Sequence, residues 1–339
     1  MRWTLLVSFL GALTVAETAL AQADNAGLQP RHFTTASVPE GRHADTVRKA
    51  RSAFVLSDGS EWALRPCPAR DEPSCIAIAR FSKDEVKPFI AADFLPGMPG
   101  GTIPIGKGGQ IYSIASLDDG RKAVSLGWND GKESHNAVVF LTFADEDRPT
   151  IDRVAELPGV RAIVGATHAR VLAATVNAQI PGGGPRLTLL DGDGRIVKQW
   201  LDGDRPTAAE AVRAANGIRL QEVTPGRYAV FDPDDSSIRF LDLATGQFRS
   251  PVILNDDLSG QTIRDIYIAP NSSSAVVTTG KIDGRYRTAI HVYGADGNII
   301  GRWTSDHPWQ TVVHRGHVFT GTVVKDDVST ETVDLPGIE

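Results

Sequence analysis

The feature that most constrains this chain is a repeat of hairpins, written as an apolar run, a tight polar turn and a second apolar run. One series comprises "AFVLSDGSEWAL", "IYSIASLDDGRKAVSL", "AIVGATHARVLAATV", "LQEVTPGRYAVF", "DIYIAPNSSSAVVTT" and "TVVHRGHVFTGTVV". Their turns centre near Gly59, Gly120, Ala169, Gly226, Ser272 and Gly316. A second series interleaves with it, turning near Asp84, Asp145, Asp193, Thr245 and Asp296. β-branched and aromatic residues alternating between Gly, Asp or Asn punctuation read as strands, not helices. Two hairpins in each period of roughly 50 residues make a four-stranded unit, and such units repeated around an axis are propeller blades.

The expected fold is therefore an all-β propeller of six four-stranded blades, with a seven-bladed ring as the alternative. The last blade lacks a strand after "TVVHRGHVF" and "STETVDL". Residues 31–38, "RHFTTASV", are the expected partner. Strands from both chain ends then close the ring and cover a sheet edge that would otherwise template aggregation.

The N-terminus carries a different signal. Arg2 precedes the apolar run "WTLLVSFLGALTVA", and "ALA" and "AQA" offer small-residue cleavage sites after Ala21 or Ala23. That pattern is a secretory signal peptide over residues 1–23, leaving residues 24–339 as a single propeller domain. No later apolar run is long enough to span a bilayer, so no membrane span is expected after cleavage, and the protein is expected in the periplasm or outside the cell. The two cysteines, Cys67 and Cys75, flank "PARDEPS"; in an oxidising compartment such a pair is expected to form a disulfide.

The net charge of −6 and the lack of a basic cluster exclude a nucleic-acid binder. The stretch "GGTIPIGKGG" imitates a phosphate-binding loop, but Gly108 stands where Ser or Thr would hold magnesium. Pro104 removes an N–H from the cradle, and the next residues alternate like a strand rather than opening a helix. "LLDGDGRIV" hints at a calcium loop through Asp191 and Asp193, yet Ile196 occupies the position needing Gly, so a hairpin turn is expected. His307, His314 and His317 are not expected to converge. No resident cofactor and no metal site are read from the chain.

"YAVFDPDDSSIRFLDLATGQ" and "IHVYGADGNIIGRW" resemble exported bacterial propellers of the NHL and six-bladed TolB-like type, in which a strand ends in a D-x-x-G turn. The resemblance is architectural and implies no single function, since binders, hydrolases, lyases and oxidoreductases share it. It does imply that loops between blades, and between the second and third strands of a blade, leave the ring on one face. The candidate ligand-binding residues there are Trp128, Asn129, Asp130 and His135 in "GWNDGKESHN", Asp232, and Asp283, Arg285 and Tyr286 in "GKIDGRYR". Trp and Tyr supply stacking faces and Arg a fork for carboxylates, which suits a polar, partly planar ligand such as a sugar. The leading functional reading is a binding or scaffold protein for a protein or saccharide partner. The alternative is a lactonase, hydrolase or lyase with a calcium ion in the central channel.

Overall fold

The computed structural model describes residues 33–37, 48–66, 76–81, 86–89, 110–129, 133–145, 148–175, 186–201, 218–233, 235–256, 258, 260–325, 327–335 and 337–338. Strand β1 (Phe33–Ser37) belongs to the last sheet of the ring. The first sheet is β2 (Ser52–Val55), β3 (Glu61–Pro66), β4 (Ile76–Phe81) and β5 (Val86–Phe89). The second is β6 (Gln110–Ser116), β7 (Lys122–Asn129), β8 (Ser134–Asp145) and β9 (Arg148–Glu156). The third is β10 (Val160–Ala166), β11 (Arg170–Thr175), β12 (Arg186–Leu190) and β13 (Ile196–Leu201). Next come β14 (Arg219–Thr224), β15 (Arg227–Asp232), β16 (Ser237–Asp242), β17 (Gln247–Phe248) and β18 (Val252–Ile253). They are followed by β19 (Thr262–Ile268), β20 (Ser274–Ile282), β21 (Arg285–Tyr293) and β22 (Ile299–Thr304). The last sheet is β23 (Trp309–Arg315), β24 (Val318–Val324) and β25 (Val328–Asp334), completed by β1.

The fold is an all-β propeller. Five of its sheets have the regular four-stranded form. The uniform set of six four-stranded blades expected from the repeat needs correcting at the β14–β18 sheet. There the outermost strand is split into β17 and β18, which pair with opposite ends of β16. Pro251 immediately precedes β18; it has no N–H to give a ladder, so the edge strand breaks beside it.

The turns explain the regularity. At Gly59, Gly120, Gly226 and Gly316 the φ angles are 79°, 89°, 79° and 58°, a left-handed backbone that glycine adopts without strain. Ala169 and Ser272 hold the same position with φ of 54° and 73°. Asp58 and Asp119 each accept the backbone N–H two residues on, which fixes the turn. Asp191 does the same for Asp193 and Arg195, so "DGDG" is a hairpin turn.

The core lies between neighbouring sheets. Leu56, Trp62 and Ile78 of the first sheet pack on Ile111, Val124 and Val139 of the second. Equivalent clusters fill the next junctions around to Trp309 and Phe319. The seam between the last sheet and the first is tied by polar groups: Gln310 Nε2 donates to the Ala50 carbonyl at 2.8 Å, and Arg315 pairs with Glu61 at 2.9 Å. β1 pairs antiparallel with β25 from Phe33↔Val333 to Ser37↔Ser329. Strands from the two ends of the chain therefore meet in one sheet, and the pairing falls within the segment that the sequence singled out. β6 follows the Gly-rich stretch as a strand; residues 100–109 themselves, like the cysteines 67 and 75, lie outside the described residues.

Candidate functional site at the axial mouth

The first strand of every sheet faces the axis. Together β2, β6, β10, β14, β19 and β23 enclose a cavity of about 580 Å3, within the range typical of small-molecule sites. At the N-terminal start of each of these strands a buried or half-buried apolar residue is followed by a longer polar one. The pairs are Ala50–Arg51, Ile111–Tyr112, Val160–Arg161, Ile218–Arg219, Ile263–Arg264 and Trp309–Gln310. All six polar members line the cavity.

The backbone is built to aim them. The register shifts at Tyr112, Arg161, Arg264 and Gln310, each the extra residue of a β-bulge in its inner strand. A bulge breaks the strict alternation of side chains and re-aims one of them, so the apolar residue stays in the inter-sheet core while its neighbour turns to the axis. Arg161 lies over the Tyr112 ring, its guanidinium carbon 4.4 Å from the centroid. Arg264 Nε donates to Thr279 Oγ1 at 3.2 Å, and Arg219 donates to the carbonyls of Ile263 and Arg264. Burial, followed by the neighbouring Arg264 charge, holds the Arg219 guanidinium below its ordinary pKa, while Asp265 acts in the opposite sense.

Among the described residues two acids line the cavity, and both are already engaged. Glu222 accepts from Tyr228 Oη at 2.9 Å and from the Gly226 N–H. Asp265 accepts from the Ile266 N–H and lies 3.4 Å from His314 Nδ1. Among the described residues, Arg51, Arg161 and Arg264 have no carboxylate within ion-pair distance. Among the described lining residues four arginines thus face two acids, an excess of positive charge in a chain whose net charge is −6.

The described residues among those named from the sequence sit on the same face. Gly127 pairs with Gln110, and Phe231 with Arg219. The connections from second to third strand therefore emerge at the end where the inner strands begin. Within that face the residues occupy different sheets and roles. Trp128 is buried and stacks on His135 across the β7–β8 ladder, ring centroids 5.2 Å apart and planes 14° apart. Asn129 ends β7, its side chain lying outside the described residues, as does all of Asp130. Asp232 is buried at the end of β15. Asp283, with φ 49°, makes the tip of the β20–β21 hairpin, and Arg285 and Tyr286 are exposed beside it. The sheets bearing Trp128 and Tyr286 are separated by two others, so these side chains form no single cluster.

Sequence reasoning missed the axial ring. Its signal was the recurring apolar–Arg dipeptide at the start of the first strand in four of the repeats. It also missed a buried file in which His291 Nδ1 meets Asp256 Oδ2 at 2.6 Å and Nε2 meets Thr278 Oγ1 at 3.1 Å. This has the connectivity of an acid–base relay, but Thr278 and His291 are sealed in the core and do not line the cavity. Its chemistry is structural. His314 and His317 each face a separate carboxylate, Asp265 and Asp334, and no group of three metal-capable side chains converges among the described residues.

No protein-family model and no curated protein sequence matches the chain. Solved structures do. A gluconolactonase from Xanthomonas campestris is 10% identical over 94% of this chain and 99% of its own, with a TM-score of 0.50. BamB from Moraxella catarrhalis is 12% identical over 91% of this chain and 100% of its own, with a TM-score of 0.39. The likeness to the gluconolactonase is one of fold alone, and the fold it shows is the β-propeller.

Proposed function

We propose that this chain is an exported β-propeller that binds a polar ligand, a saccharide or a group on a protein partner, at the axial mouth. The observation that carries the reading is the ring of Arg51, Tyr112, Arg161, Arg219, Arg264 and Gln310 around one cavity. Bulges in a rigid sheet framework hold four of these side chains toward the axis, which lowers the ordering cost of binding. Arg285 and Tyr286, on the same face but farther from the axis, are the proposed outer contacts of a larger partner. The guanidinium groups disfavour a divalent cation at the mouth, so binding is preferred to metal-dependent lactonase or lyase chemistry.

The same reading takes the β14–β18 sheet as a sixth blade, because Arg219 fills its place in the ring. It also takes residues 1–23 as a signal peptide and 24–339 as the mature domain. Among the described residues no helix is long and apolar enough to cross a membrane. The test is a glycan array probed with the labelled mature protein and with the Tyr112→Ala variant. Glycan binding that weakens in the variant supports the mouth as the site. Binding left intact by Tyr112→Ala counts against it.

A further inference from the structure

The ring also bears on what kind of ligand fits. Four guanidinium groups converge on one cavity from separate strands. Arg161, Arg219 and Arg264 are half-buried, which makes their charges costly to leave unanswered, while Arg51 stands at the exposed rim. Nature commonly satisfies such charges with carboxylates of the same chain. Here that happens in part: Asp265 acts electrostatically on Arg219, and Glu222 is taken up by Tyr228 and the Gly226 amide. The remaining three have other attachments. Arg161 donates one nitrogen to the Val160 carbonyl and stacks on Tyr112. The Arg264 guanidinium makes one hydrogen bond, through Nε to Thr279. Arg51 is exposed at the rim.

A guanidinium carries five donors, so Arg161 and Arg264 keep nitrogen atoms available after these bonds. They stand on sheets separated by one other, around a cavity of about 580 Å3. A ligand with two or more oxyanion groups can engage both sides of such a space at once. Tyr112 and Gln310 complete the ring with a hydroxyl and an amide, which can accept or donate to neutral oxygens between the charged ends.

We infer that the axial mouth binds a small ligand bearing at least two carboxylate or phosphate groups, held chiefly by Arg51, Arg161 and Arg264. This rests on the binding function proposed above and specifies the ligand's charge. Binding joins two oxyanions to guanidinium forks by charge-assisted hydrogen bonds. It also relieves the repulsion among the arginines.

Isothermal titration of the mature protein with citrate, pyrophosphate, digalacturonate and the uncharged disaccharide cellobiose tests this. Citrate and digalacturonate probe carboxylate ligands, and pyrophosphate probes phosphate. At least one anion is expected to bind. Its affinity should fall about tenfold or more for each arginine lost in Arg161→Gln and Arg264→Gln, as for charged hydrogen bonds. It should also weaken as salt rises from about 0.02 M to about 0.2 M. The variants keep two methylene groups of the stem and a neutral polar end, and near-ultraviolet circular dichroism reports whether they fold. If they do not, the salt dependence and the anion-against-cellobiose preference of the unaltered protein still decide. The inference is overturned if no anion binds, or if the affinity is the same in folded Arg161→Gln/Arg264→Gln. Binding of cellobiose alone, lost in Tyr112→Ala, would overturn the anion specificity and leave the mouth as a binding site.

Discussion

Gly321→Ala should be among the most damaging single-methyl changes in this protein. A Cβ at Gly321 would lie 1.9 Å from Cδ2 and 2.2 Å from Cε3 of Trp309. Trp309 is completely buried and packs on Trp303, centroids 5.4 Å apart. Its indole N–H donates to Glu331 Oε2 at 2.7 Å, and its backbone N–H to Thr288 Oγ1 at 2.6 Å. To make room, the ring must retreat by more than an ångström, and the Glu331 hydrogen bond is lost. Overpacking costs about 1–3 kcal/mol. Losing a hydrogen bond to a charged, buried acceptor costs about 1.5–3 kcal/mol more. The expected sum is about 2.5–6 kcal/mol. At about 2–4 °C per kcal/mol for a large domain, Tm should fall by roughly 5–24 °C.

The control is Gly59→Ala, where no atom lies within 4 Å of the added Cβ but φ is 79°. Only the left-handed backbone penalty of about 1–2 kcal/mol applies there. Scanning calorimetry of both variants separates crowding from backbone strain. Combining Gly321→Ala with Trp309→Leu should cost less than the sum of the two, because the smaller side chain leaves space for the methyl group. A Tm for Gly321→Ala within a degree or two of the unaltered protein, or strict additivity in the double variant, would refute the packing argument. The residue matters beyond stability, since Trp309 precedes Gln310, which ties the last sheet to the first at Ala50.

Three further outcomes are expected. Removing residues 33–37 deletes the strand paired along β25 and exposes a sheet edge, so the truncated chain should melt far lower or aggregate; an unchanged Tm would count against closure by both ends. Denaturing, non-reducing thiol titration of the protein purified from an oxidising compartment should find no free thiol at Cys67 and Cys75; two thiols per chain would disprove the disulfide, whose loop closure is worth about 2–3 kcal/mol. Burial, aided by Arg302, depresses the His291 pKa from its ordinary 6.5, so the unfolded chain takes up this proton first. The corresponding stability is present above about pH 6.5 and is lost as pH falls through the folded value; His291→Gln should flatten that part of the urea-midpoint profile, and an unaltered slope would show that another group is responsible.

Much of the fold was readable in the sequence because its turns announce themselves. All six turn centres of the first hairpin series have a left-handed backbone, at Ala169 and Ser272 as well as at the glycines. The pairing of residues 33–37 was readable too, from a blade short of one strand. The broken edge at β17 and β18 was less so, since one proline decides it. The site was harder. Local chemistry drew attention to "GWNDGKESHN", yet β7 runs to Asn129 and β8 starts at Ser134, so the apparent loop is mostly strand and Trp128 is spent on His135. The axial arginines, at positions 51, 161, 219 and 264, lie one or two repeats of roughly 50 residues apart, and no local motif joins them. The direction of Arg161 and Arg264 depends on bulges, which a two-residue alternation cannot reveal. Their convergence is a property of the ring.

The most direct test of the account is anomalous diffraction from crystals of the mature protein soaked in selenate at low ionic strength, alongside the Arg161→Gln/Arg264→Gln variant. A selenium peak is expected on the axis, within hydrogen-bond reach of Arg161 or Arg264, and it should disappear in the variant. Peaks confined to the outer surface, or an axial peak that persists without those two arginines, would contradict it.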